Sequence, residues 1–133
     1  MRALAFLISF LPLVAQGCGY CVEDKIAAVY DHAAVSRALE AHQTVVFFAI
    51  DGTLRPGGTE TRKLEKLFSS VPGIATVKLS VEQAAVAVAY DPKRINLAAV
   101  EKALERKLAP LGLSLLPLRV MDRPGELASA IRR

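Results

Sequence analysis

The sequence predicts an α+β chain: a four-stranded antiparallel sheet with two helices on one face, preceded by an N-terminal helical segment. Two observations carry this. From Thr44 onward the apolar pattern alternates between strand and helix periods in the order strand, helix, strand, strand, helix, strand. Turn and stop signals separate these stretches, at Asp51-Gly52, Pro72-Gly73, Glu82-Gln83 and from Pro110 to Gly112.

The first 17 residues read as a signal peptide. Arg2 gives a positive start, the run from Ala3 to Val14 is apolar except for Ser9 and Pro12, and Ala15-Gln16-Gly17 supplies small residues at a cleavage point. That run is shorter than the ~20 apolar residues needed to cross a bilayer and has a proline inside it, which argues against a membrane span. The remaining chain, from Cys18, is of single-domain length. The expected division is residues 1–17 leader, 18–43 helical segment with the cysteines, 44–122 the sheet domain, and 123–133 a tail. A leader of this kind implies export to the periplasm or the medium.

Residues 22–41 are alanine-rich, with Val22, Ile26, Val29, Val35 and Leu39 at helical spacing, and Asp31 is placed to cap a second helix after a break at Tyr30-Asp31. On this reading Cys21 opens the first helix and Glu23 and Asp24 stand in its first turn. Val45 to Ile50 is a continuous apolar run of β-branched and aromatic residues, suited to a central strand. Leu64, Leu67, Phe68 and Val71 recur at helical spacing after a glycine-rich loop. Residues 76–81 and 84–90 alternate and pair as a hairpin, with Val77, Leu79, Val81 and Val86, Val88, Tyr90 on the inner side. Asn96 caps a helix through Leu97, Val100, Leu104 and Leu108, and residues 113–121 form the last strand, where Pro117 requires a sheet edge. With right-handed crossovers this order is the βαββαβ ferredoxin-like sandwich.

Four short motifs then carry a resemblance. Ile50-Asp51-Gly52, Leu64-Glu65-Lys66-Leu67, Val71-Pro72-Gly73-Ile74 and Ala89-Tyr90-Asp91-Pro92 occur in the order and spacing of the heavy-metal-associated domain of copper chaperones, mercury-binding periplasmic proteins and amino-terminal modules of P-type ATPases, a likeness covering about residues 45–120. The resemblance implies the ferredoxin-like fold, a soft metal such as Cu(I) or Hg(II), a partner metal-transport protein and no enzyme activity. It departs from the family at the metal loop. There the family places a methionine and two cysteines after the Asp-Gly turn, whereas residues 53–60 read Thr-Leu-Arg-Pro-Gly-Gly-Thr-Glu, without sulfur. Thiolates are what soft metals select, so no family ligand carries onto this loop.

The only two cysteines are Cys18 and Cys21. With Val22, Ile26 and Val29 behind them they resemble the family's metal-loop-plus-helix signature, displaced to the N-terminus of the exported chain. A helix N-terminus favours thiolate, which prepares a cysteine pair for Cu(I), Hg(II) or Zn(II). The acids at Glu23 and Asp24 oppose it. Three other fates for these sulfurs stay open: a small disulfide, a redox pair, and acylation of Cys18 as a membrane-anchored lipoprotein, which would leave Cys21 alone.

His32 and His42 lack the short spacing of a zinc finger and read as ordinary histidines. Phe48-Ala49-Ile50-Asp51-Gly52-Thr53-Leu54 imitates a haloacid-dehalogenase motif, but Ala49 occupies the place of its nucleophilic aspartate. The net charge of +4 is spread over helix surfaces and tryptophan is absent, which argues against nucleic-acid binding. The functional expectation is an exported soft-metal-binding or metal-transfer protein with Cys18 and Cys21 as ligands. Its alternative is a non-metal adaptor of degenerate heavy-metal-associated fold that docks a partner protein, with membrane contact only through lipid at Cys18.

Overall fold

Asp31 divides the N-terminal segment in two. In the computed structural model, which describes the backbone of residues 17–123 and the side chains of residues 22–123, α1 spans Gly17–Val29 and α2 spans His32–Glu40. The Asp31 carboxylate accepts a hydrogen bond from Ala34 N at 3.0 Å, satisfying one of the free amides that open α2. That bond holds the Asp31 carboxyl below its ordinary range, with the Lys78 charge helping. The expected leader lies outside the described residues apart from Gly17, as does the expected tail beyond Arg123.

The expected order is present: β1 Thr44–Asp51, α3 Gly58–Ser69, β2 Ile74–Ser80, β3 Ala85–Tyr90, α4 Leu97–Leu108 and β4 Ser114–Met121, with a short 3-10 turn, Ala109–Leu111, ahead of β4. The sheet order is β2-β3-β1-β4, antiparallel throughout, which is the ferredoxin-like arrangement. β1 is central, as its apolar run requires. β4 is at an edge, where the missing amide of Pro117 is tolerated. Arg119 pairs with Phe47 and Pro117 with Phe48, so Leu118 is an extra residue bulged out of the ladder. Asn96 caps α4 by accepting from Ala99 N at 2.8 Å. Asn96→Ala is expected to lower stability by about 1 kcal/mol, read as a shift in a urea unfolding midpoint.

Side chains alternate across β1 and fill two cores. Val46, Phe48 and Ile50 meet Leu64 and Phe68 of α3 and Val100, Leu104 and Leu108 of α4. Val45 and Phe47 point the other way and meet Ile26, Val29, Val35 and Leu39 of α1 and α2. Every residue of β3 is buried, because Ala85, Ala87 and Ala89 are small enough to let α1 and α2 lie close against them. One expectation changes here. Cys21 does not open α1: the chain is already helical at Gly17, which puts Cys21, Glu23 and Asp24 beyond the first turn.

Candidate functional site

α1 crosses the sheet face opposite α3 and α4, and named contacts fix its path. At the β4 edge, Arg119 Nη2 donates to Glu23 Oε1 at 3.0 Å. Over the β2–β3 turn, Lys25 Nζ donates to Gln83 O at 2.5 Å. Further along, Ile26 and Val29 are buried against the sheet. The ion pair is exposed, so it contributes no more than about 0.2–1 kcal/mol and serves mainly to orient the helix. The apolar stripe supplies the stability.

Cys18 and Cys21 lie in the α1 segment preceding these anchors, three residues apart along the helix. Their side chains lie outside the described residues. Because a helix dipole acts within the first turn, the position of Cys21 weakens the dipole contribution expected from a helix start. The nearby acids Glu23 and Asp24 are exposed, and Glu23 is engaged by Arg119.

The loop after the Asp51-Gly52 turn runs from Gly52 to Gly57, between β1 and α3, on the other helical layer from α1. It is exposed except for Leu54, which packs partly against the α3–α4 core. It holds no sulfur. Gly57 precedes α3 without a side-chain cap bond. The loop and α1 are therefore on different layers of the sheet.

The histidines are also apart. His32 Nδ1 lies 3.2 Å from the Tyr30 hydroxyl, and Tyr30 in turn stacks on Phe47 at 6.3 Å, which makes His32 part of the packing around the α1–α2 break. His42 is exposed in the turn from α2 to β1, at φ 60°. Among the described residues no three His, Cys, Asp or Glu side chains gather where they could hold a metal ion. Among those same residues no helix is long and apolar enough to cross a membrane.

A cavity of about 220 Å³ opens between α2 and the β2 side of the sheet, walled by Val29, Ala34, Val35 and Ala89, with Asp31 and Lys78 among its lining residues. Sequence reasoning missed it. Its one signal was the density of alanines in α2 and β3, which leaves space where larger side chains would fill it.

No family model matches this chain, and no curated protein matches it. Solved structures do. The chain is similar to the N-terminal domain of a potential copper-translocating P-type ATPase from Bacillus subtilis in the Cu(I)-loaded state, at 20% identity over 60% of this chain and 92% of that one, with a TM-score of 0.47. It is similar to oxidized MerP from Ralstonia metallidurans CH34, at 19% identity over 57% of this chain and 99% of that one, TM-score 0.46. A copper binding domain from HMA7, a P-type ATPase, is 14% identical over 58% of this chain and 96% of that one, TM-score 0.47.

Proposed function

We propose that this protein captures a soft metal ion, Cu(I) or Hg(II) before Zn(II), through the thiolates of Cys18 and Cys21, and passes it to a partner by ligand exchange. The single observation that carries this reading is the spacing of the chain's only two cysteines on α1, a helix held against the sheet from Val22 onward. Two thiolates suffice for a soft monovalent ion, and a partner thiolate can enter as one of them leaves, so the metal moves without being released. Zn(II) prefers four ligands, and no His, Asp or Glu group is assembled to complete such a set among the described residues. The leader reading adds that this happens in an exported protein, periplasmic or secreted.

Titration of the reduced, unacylated chain with Cu(I) against a chromophoric chelator tests the proposal. Stoichiometric binding is expected, and either Cys18→Ser or Cys21→Ser is expected to abolish it. Unchanged binding in Cys21→Ser overturns it. The sulfur-free loop from Gly52 to Gly57 favours a second reading, the non-metal adaptor that docks a partner. The mass of the mature amino terminus separates the two: a diacylglyceryl group on Cys18 supports the tethered adaptor, while two free thiols support the clamp.

A further inference from the structure

The outer surface of the α3–α4 layer carries a charge arrangement that metal capture on α1 does not use. Arg62 and Lys66 stand one turn apart on α3, away from its buried Leu64 and Phe68. Lys102 and Arg106 stand one turn apart on α4, away from its buried Val100 and Leu104. All four are exposed, as are the neighbouring Lys63 and Lys107. The acids of the same helices offset them only in part, since six bases stand against the half-buried Glu60, Glu65 and Glu101 and the exposed Glu105.

Among the described residues the ion pairs are Arg119 with Glu23 and Arg123 with Asp122, so none of these six cations has an anionic partner. Like charges at i and i+4 destabilise a helix, and each of the two helices bears such a pair. Lys66, Arg106 and Lys107 stand in the last turns of their helices, where the dipole favours cations, so the repulsion is partly offset within the free protein and is relieved further beside negative charge. Past the end of α4, four residues beyond Lys107, Leu111 is 43% exposed in the 3-10 turn and adds an apolar group at that end of the layer. The other side of the sheet is balanced. There the exposed acids Glu23, Asp24, Asp31 and Glu40 face the bases Lys25, Arg37, Lys78 and Arg119.

We infer that the α3–α4 surface docks peripherally on an anionic phospholipid bilayer, its exposed bases against the headgroup phosphates and Leu111 at the interface. The cations are spread over two helices, and none lines the cavity beside α2. A distributed positive field of this kind matches a plane of diffuse negative charge better than a shaped pocket on a protein. With one side of the sheet cationic and the other balanced, the field of the bilayer also sets which side approaches. The inference needs neither cysteine and stands apart from the metal reading.

Sedimentation with vesicles tests it, using the exported, processed chain carrying Cys18→Ser so that no acyl chain at residue 18 contributes. Binding to phosphatidylcholine vesicles containing about one-third phosphatidylglycerol is expected to be at least about tenfold tighter than to phosphatidylcholine alone. It is expected to be lost when salt shortens the Debye length from about 10 Å to about 3 Å. The quadruple variant R62Q/K66Q/K102Q/R106Q is expected to lose the anionic preference with its helical circular dichroism intact, while Arg37→Gln on the opposite side leaves the preference unchanged. Equal binding to both vesicle types, or full retention in the folded quadruple variant, overturns the inference. So does capture on immobilised polyglutamate as strong as on the anionic vesicles, which would assign the surface to an acidic polypeptide.

Discussion

Phe47→Ala is expected to lower the free energy of unfolding by about 3–5 kcal/mol, the range for deleting a buried phenylalanine. Phe47 is fully buried on β1, stacked on Tyr30 and packed with the α1 and α2 side chains. Its neighbour Phe48 is equally buried but faces α3 and α4. The two substitutions remove the same atoms from opposite faces of one strand, so comparing them measures how firmly the N-terminal helices are held. Urea unfolding of both variants is the measurement. A loss for Phe47→Ala below about 1 kcal/mol, with Phe48→Ala still costing several, would mean that α1 and α2 do not stay packed in solution. Against a usual total of about 5–15 kcal/mol, the expected loss leaves a marginal protein, so the variant should also unfold at a much lower temperature.

Gly52→Ala is expected to cost about 3 kcal/mol or more, by two mechanisms that add. Gly52 has φ +120°, a conformation that side chains with a Cβ adopt only under strain, typically at about 1–3 kcal/mol. An added Cβ would also stand 2.6 Å from Gly112 O and 2.8 Å from Leu113 Cδ2. The first of these is backbone, entering the β4 edge that pairs with β1, so relief requires moving the chain rather than turning a side chain. Gly58→Ala is the control. A Cβ at residue 58 meets nothing within 4 Å, and residue 58 is the first of α3. There alanine is expected to be neutral or to stabilise by up to about 1 kcal/mol. Thermal unfolding of the pair reads the contrast, and equal midpoints would show that the turn after β1 relaxes freely.

Much of this architecture was legible because its signals are local. The run from Val45 to Ile50 suits an interior strand, Asn96 suits a helix start, and Pro117 demands an edge; β1, α4 and β4 stand where those residues put them. The N-terminal segment was legible as two helices broken at Asp31, since an aspartate cap needs nothing beyond its own turn. The surface it covers was not legible. Spacing of Val22, Ile26 and Val29 defines a stripe on a helix but says nothing about what the stripe meets. Ala85, Ala87 and Ala89 give the same alternation whether their face is wet or covered.

The candidate site divides in the same way. Residue type and spacing make Cys18 and Cys21 a candidate thiolate pair in any fold, and the sulfur-free loop after β1 is plain from composition alone. Where α1 runs, and that it lies on the layer away from that loop, depends on long-range contacts such as Lys25 with Gln83, 58 residues away. The cavity beside α2 likewise arises between elements distant in sequence, where no local pattern announces it.

Burial of β1 and β3 on both faces makes the sheet the middle slab of a sandwich with helical bread on each side. Cutting the chain at Thr44 to isolate the ferredoxin-like unit would strip one slice and bare a contiguous plane of valine, phenylalanine and alanine to water. Such a fragment would be sticky where small modules of this shape are ordinarily soluble. Any grafting or domain-swap design using this chain must therefore carry α1 and α2 along.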